Sequence, residues 1–277
     1  DYGKVEEALA KGANIEATGY YGRKALHFAA NRGYLDIVRL LLNKGAKPNS
    51  LDEGSVTALI GAIDKDHLEV AKLLLEKGAN PNLGIADDTY QSPAIVLASS
   101  KGLSDIVALL IQNGAVLEAY NRYDLTALDM AVERNHFNSL KILVEAGADI
   151  QRSSSFFSPL SRSIQNGSTA MSLYLISKGA DINKKERVTG MTPLMRAAQG
   201  GKIEIVKALV TAGAQINTVS ESGYTALICG TQWSGNFEIV SYLLENGADP
   251  NIKDEDGLTA LDWAERKDFD KIVKLLK

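Results

Sequence analysis

Residues 190–217 read Gly190-Met-Thr-Pro-Leu-Met-Arg-Ala-Ala-Gln-Gly-Gly-Lys-Ile-Glu-Ile-Val-Lys-Ala-Leu-Val-Thr-Ala-Gly-Ala-Gln-Ile-Asn217, and this stretch decides the fold. Thr192 precedes Pro193, so its hydroxyl can cap a first helix whose opening residue has no N–H to leave orphaned. Gly201 breaks the chain before a second apolar stripe, Ile205, Val206, Leu209 and Val210, at helical spacing. Gly213 ends that helix in the left-handed conformation that favours glycine. The Gly-Ala pair is the marker to follow outward. It recurs at Gly12, Gly45, Gly78, Gly114, Gly147, Gly179, Gly213 and Gly247, with spacings of 33, 33, 36, 33, 32, 34 and 34 residues. Thr57, Thr126, Thr225 and Thr259 each repeat the cap before an alanine. Two helices of about ten residues cannot bury their apolar faces alone. Stacked on their neighbours they bury a continuous core, so the chain reads as a repeat array.

On these residues the sequence resembles the ankyrin-repeat family over essentially its whole length. The resemblance implies an all-α fold, a curved and elongated solenoid of helix-turn-helix units joined by β-hairpin-like loops. A partial repeat 1–21 precedes repeats 22–54, 55–90, 91–123, 124–155, 156–189, 190–222 and 223–256, and a capping repeat 257–277 closes one array. Lys24 and Pro93 stand where the family pattern has threonine, and repeats 55–90, 156–189 and 223–256 depart from it most. Residues 1–12 read as a second helix without its first, which leaves apolar surface uncovered unless more chain precedes Asp1. The chain ends on Ile272, Val273, Leu275 and Leu276 with Lys271, Lys274 and Lys277 facing out, the pattern of a cap.

Composition narrows the function. Of 277 residues, 45% are apolar and 23% charged, enough apolar residue for a sizeable core. Thirty Lys and Arg against 34 Asp and Glu give a net charge of -4, which argues against a dedicated nucleic-acid binder. No apolar run approaches the roughly 18 residues that span a bilayer, so no membrane insertion is expected. The single cysteine, Cys229, excludes an intrachain disulfide and a multi-cysteine zinc site. The thiol count points to an intracellular, cytoplasmic setting, or to export into a host cell if the source is bacterial.

No constellation points to catalysis, and no cofactor or metal is expected. The resemblance implies structural roles for His27, which follows the helix-opening step, and for His67 and His136, which follow the break between paired helices. Cys229 lies in a first helix and reads as a buried apolar residue. Gly200-Gly201-Lys202 has neither the spacing nor the hydroxyl of a phosphate loop. Asp87, Asp88, Asp254 and Asp256 read as turn-formers. Eight serines between Ser153 and Ser172, Ser153, Ser154 and Ser155 among them, read as drift in a middle repeat rather than a hinge. The resemblance further implies that Asn49, Asn82, Asn183, Asn217 and Asn251 brace the loops.

What remains is protein recognition. In the family the contact positions lie at the hairpin tips and at two positions late in the first helix. Carried over to this sequence, they single out Tyr20, Tyr21, Arg23, Tyr90, Tyr120, Arg122, Tyr123, Phe157, Met191 and Tyr224 on the hairpins. In the first helices they single out Arg32, Lys65, Lys101, Arg134 and Trp233. Aromatics make up only 6% of the chain, yet at least seven fall on these positions. Tyr, Trp and Arg are the usual interface anchors. Stacking turns Arg32, Lys65, Lys101 and Arg134 into a basic ladder, softened by Asp64 and Glu133. An acidic, partly apolar segment of a protein partner fits such a surface, bound by a monomeric, non-enzymatic scaffold. The alternative is a targeting or regulatory module of a larger protein, such as an exported bacterial effector or a membrane protein.

Overall fold

The computed structural model describes residues 1–84, 92–152 and 157–277. Tyr90, Asp87, Asp88 and Ser153, Ser154 and Ser155 lie outside the described residues. The chain divides into two compact units, Asp1–Ala148 and Asp149–Lys277. The first holds α1 (Tyr2–Ala10) and four helix pairs: α2 (Ala25–Asn31) with α3 (Leu35–Asn43), α4 (Ala58–Asp64) with α5 (Leu68–Glu76), α6 (Ala94–Ser100) with α7 (Ser104–Gln112), and α8 (Ala127–Glu133) with α9 (Phe137–Glu145). The second holds four more: α10 (Pro159–Gln165) with α11 (Thr169–Ser177), α12 (Pro193–Gln199) with α13 (Ile203–Thr211), α14 (Ala226–Cys229) with α15 (Phe237–Glu245), and α16 (Ala260–Arg266) with α17 (Asp270–Leu276). The described residues contain no strand; the loops carry an isolated antiparallel bridge between Tyr120 and Thr126.

The helices are shorter than the ten-residue expectation. First helices such as α2 have seven residues and second helices such as α3 have nine. At this length intrinsic propensity cannot hold a helix, so caps and packing must. The threonine caps form as the sequence indicates. The hydroxyls of Thr57, Thr126, Thr192, Thr225 and Thr259 accept from the amides of Ile60, Asp129, Met195, Ile228 and Asp262 at 3.2–3.3 Å. Ser158 does the same for Ser161. Where Lys24 replaces threonine, the Nδ1 of His27 accepts from the Lys24 amide at 3.1 Å instead. Each cap contributes about 1 kcal/mol.

Between paired helices the backbone needs a positive φ, which Gly33 supplies at 72°. Asp66, Asn135 and Asp268 take the same conformation in other pairs, residue types whose short polar side chains tolerate it. The core is a file of leucines on the second helices: Leu41, Leu74, Leu110 and Leu143 in the first unit, Leu175, Leu209 and Leu243 in the second, each at most 1% exposed. Each contributes about 1.5–3 kcal/mol by leaving water. Burial at the ends is weaker. α1 buries no residue, and α17 buries only Ile272 while its two lysines and the flanking Lys277 face water.

Side-chain amides staple one loop to the next. Asn82 donates to the Gly114 carbonyl and accepts from the Val116 amide, both at 2.9 Å. Asn49 and Asn217 make the equivalent pairs with Gly78 and Asn80 and with Gly247 and Asp249. Asn183 accepts from the Gln215 amide. Gln151 fills the position where no asparagine stands, donating to Gly179 and accepting from Asp181. The bracing role is therefore geometric fact at four of the five asparagines. Among the described residues Asn251 bonds within its own turn, to Asp249.

Candidate protein-interaction face

The loop between a second helix and the next first helix carries the candidate residues. Neighbouring tips are tied by backbone bonds: the Glu53 amide donates to the Tyr21 carbonyl at 3.0 Å, and in the second unit Glu221 donates to Thr189 at 3.1 Å. The tips themselves are built around buried acceptors. Asp52 accepts from the Gly54 and Val56 amides, and Asp254 from those of Asp256 and Leu258. Asp254 thus acts as the turn-former the sequence suggests, and its other oxygen accepts from the Trp263 indole at 2.6 Å.

On this frame the first unit holds four tyrosines of its hairpin tips in water. Tyr20 is 86% exposed, Tyr21 74%, Tyr120 57% and Tyr123 59%. The Arg122 guanidinium lies 4.6 Å from the centre of the Tyr123 ring and donates to its hydroxyl. Arg23 is less free: its Nε donates to the buried Asp52 carboxylate at 3.1 Å.

The basic file reads differently residue by residue. Arg32, Lys65, Lys101 and Arg134 are the C-terminal caps of α2, α4, α6 and α8, where a cation complements the helix dipole. Asp64 does more than soften the field. It pairs with Lys65 at 2.9 Å and lies 3.8 Å from Lys101, which also binds Asp66 at 3.0 Å. Arg32 and Arg134 are exposed and have no carboxylate partner among the described residues.

In the second unit, Phe157 is half-buried, its ring 4.3 Å from the Arg162 guanidinium and 5.9 Å from that of Arg196. Met191 is buried, a hairpin residue turned into the core rather than out to a partner. Trp233, 43% exposed, meets Tyr224 edge-to-face at 4.8 Å and 76°. One residue more than in the 190–217 unit separates its cap from the second helix, and the surplus is absorbed as a π turn at Gly230–Ser234. Single π turns of this kind often mark functional positions. Burial pushes the Tyr224 hydroxyl above its ordinary value.

The groups that could carry chemistry are engaged in structure. The Nε2 of His27 faces the Ser50 and Val56 carbonyls at 3.0 and 3.1 Å, and burial holds the ring below the ordinary histidine value. With Nδ1 accepting from Lys24, this is a neutral, fixed tautomer. His67 and His136 cross to the Asn31 and Ser100 carbonyls of the preceding pair, each at 3.2 Å. Burial pushes the Cys229 thiol up to about 12, leaving no thiolate to react. Among the described residues no three His, Cys, Asp or Glu are grouped to hold a metal ion, and no helix is long and apolar enough to cross a membrane.

Two features escape the sequence reading. One is the fourth residue of each first helix, Phe28, Gly61, Leu97 and Met130 in the first unit, which lies on the same face as the late-helix positions; counting a fixed offset from each cap residue would have found it. The other is the Glu186–Arg196 pair, with Nε–Oε1 2.8 Å and Nη2–Oε2 2.5 Å, in which the glutamate side chain is 3% exposed. No local pattern announces that contact.

A family model of ankyrin repeats matches residues 1–85, 82–154, 160–254 and 220–277. The chain belongs to the ankyrin-repeat family. Among curated relatives, the chain is similar to a transient receptor potential cation channel subfamily A member 1 homolog of Caenorhabditis elegans, 27% identical over 161 residues, 58% of this chain and 13% of the channel homolog. It is also similar to the mouse ankyrin repeat and SOCS box protein 16, 37% identical over 181 residues, 62% of this chain and 39% of that protein. The chain therefore spans well under half the length of these relatives. The ankyrin repeat domain of Bcl-3 shares the fold, with a TM-score of 0.55 at 23% identity, covering 91% of this chain and 99% of the Bcl-3 chain. Ankyrin repeats generally serve as protein-interaction scaffolds, and this chain has their all-helical repeat architecture.

Proposed function

We propose that this ankyrin-repeat chain is a non-enzymatic scaffold that binds a protein partner through its hairpin tips and first-helix face. The observation that carries the reading is the set of tyrosines Tyr20, Tyr21, Tyr120 and Tyr123, held on tips of a single unit and left in water. Tyrosine is a costly residue to expose and a frequent anchor when a partner covers it. The partner is an acidic, partly apolar segment: Arg32 and Arg134 have charges that a partner carboxylate would complete, beside apolar rings. Arg23 and Lys101 support the frame more than the contact, because both already hold carboxylates.

The test is affinity capture with the whole chain, then calorimetry with the purified partner. Tyr120→Ala or Tyr123→Ala is expected to cost about 2 kcal/mol where the residue is a hot spot. Lys72→Ala and Lys141→Ala, on the exposed sides of α5 and α9, are expected to leave binding intact. The reverse pattern would overturn the assignment. A second reading, an interaction module serving a larger protein, is favoured by the small share of its relatives' length that the chain spans.

A further inference from the structure

The fourth residue of each first helix in unit Asp1–Ala148 is apolar and side-chain bearing except once: Phe28, Gly61, Leu97, Met130. Glycine inside a helix weakens it, so its presence needs a reason. Packing does not supply one. A Cβ built on Gly61 would meet nothing nearer than Asn31 at 3.7 Å, an ordinary contact. At Gly230, by contrast, a Cβ would come within 3.1 Å of Ile239, so the need for glycine there is steric.

The missing side chain at Gly61 opens a recess of about 250 Å³. Val56, Ile60 and Leu97 supply its apolar wall, and Arg23 and Asp64 stand among its polar lining. It is smaller than the roughly 300–1,000 Å³ of small-molecule sites, which suits one side chain rather than a cofactor. Both charges at the recess are already matched within the chain, Arg23 by Asp52 and Asp64 by Lys65. The adjoining cleft, which shares Arg23, Asn31, Val56 and Gly61 with the recess, is edged by Phe28 and by Arg32. Arg32 is the unmatched cation there among the described residues.

We propose that the recess at Gly61 is a specificity pocket that receives one bulky aliphatic or aromatic side chain of a protein partner, with a neighbouring carboxylate of that partner on Arg32. The pocket rests on the scaffold reading above and names the chemistry it selects. The apolar wall gains from excluding water, and the arginine fixes which side chain enters by demanding an acidic neighbour.

A library of random twelve-residue peptides displayed on phage, selected against the whole chain, supplies the probes; enriched peptides are synthesised with fluorescein and measured by anisotropy. The expected peptides carry Leu, Ile, Phe or Trp within two residues of Asp or Glu. Gly61→Leu fills the recess and is expected to weaken them at least thirtyfold. Replacing the apolar residue of the peptide by alanine weakens wild type equally, and the two changes together add little further. Arg32→Ala is expected to weaken binding five- to tenfold, most at low salt. Should leucine disturb α4, Gly61→Ala carries the test, since its Cβ fits and alanine favours the helix: an unchanged or higher Tm with at least threefold weaker binding. Peptides without the motif, no enrichment at all, or unchanged affinity for both Gly61 variants overturns the pocket. If binding then fails with Tyr120→Ala and Tyr123→Ala, the scaffold reading survives without the pocket. Binding lost only on changing Lys72 or Lys141 retires both.

Discussion

Arg196→Met tests how the second unit is held together. The Arg196 guanidinium reaches Glu186 through two bonds, at 2.8 and 2.5 Å, and Gln199 through a third at 2.9 Å. The hydrogen bond to Glu186 raises the Arg196 pKa, so the arginine is charged at every accessible pH. Methionine keeps much of the stem and removes the charge. Glu186, its side chain 3% exposed, would then be left with Thr189, whose hydroxyl donates at 2.6 Å. Breaking one side of a buried pair costs about 3–5 kcal/mol, most of it the stranded carboxylate. Losing the guanidinium 5.9 Å from the Phe157 ring adds at most about 1 kcal/mol. The assay is built into the sequence, because both tryptophans, Trp233 and Trp263, lie in unit Asp149–Lys277. Urea and thermal unfolding followed by their fluorescence therefore report on this unit, and Tm should fall by roughly 10–20 °C. Adding Glu186→Leu should recover more than half the loss, because a buried pair replaced whole by apolar groups is close to neutral. A loss under about 1 kcal/mol for Arg196→Met would refute the reasoning, as would a double variant no better than the single.

Three further predictions follow from the staples, the histidine and the unit boundary. Asn217→Ala removes two bonds and Asn183→Ala one, so unfolding free energies should fall by about 1–2 and about 0.5–1 kcal/mol respectively; equal effects, or none, would break the staple account. Because burial lowers the His27 pKa, the unfolded chain binds the proton more readily; His27 stabilises fully above the ordinary value near 6.5, and that share is lost as pH falls below it. Chemical unfolding of wild type should therefore lose stability between pH 7 and 5 more steeply than His27→Gln, and parallel profiles would contradict this. A fragment of residues 1–148 should unfold cooperatively by circular dichroism, since its helix pairs carry their own leucine file; a featureless melt would refute the division.

The legibility of this chain followed its energetics. The Gly-Ala period, the threonine caps and the apolar stripes are local patterns with large consequences, and each appears in the structure where it was read. Helix length was overestimated because each helix stops within a residue or two of its apolar stripe, as α13 does at Thr211 after Val210. Met191 was misplaced because a hairpin position in sequence does not say which way the side chain turns; here it turns inward. The staples were readable where they are asparagine, but Gln151 performs the same two bonds with a longer side chain and no matching letter. Glu186 and Arg196 lie ten residues apart with no periodic signature, and their pairing depends on how the loop folds back over α12.

The candidate face rests on positions the family resemblance implies, and the division of labour within a repeat decides how much their residue types say. The leucine file and the caps hold each helix pair, so an exposed residue at the end of a first helix, such as Arg32 or Arg134, can change at little cost to the stack. On the proposed scaffold reading, such positions carry the information about a partner. The basic column shows how that information can mislead: four cations align in sequence, yet two are matched by carboxylates within the unit and all four cap helices. A residue type consistent with packing says little about binding. Gly61 is informative for the opposite reason, because it is a poor helix residue with room for a side chain. On the proposed reading, the helix rule is broken at Gly61 to leave room for a partner's side chain.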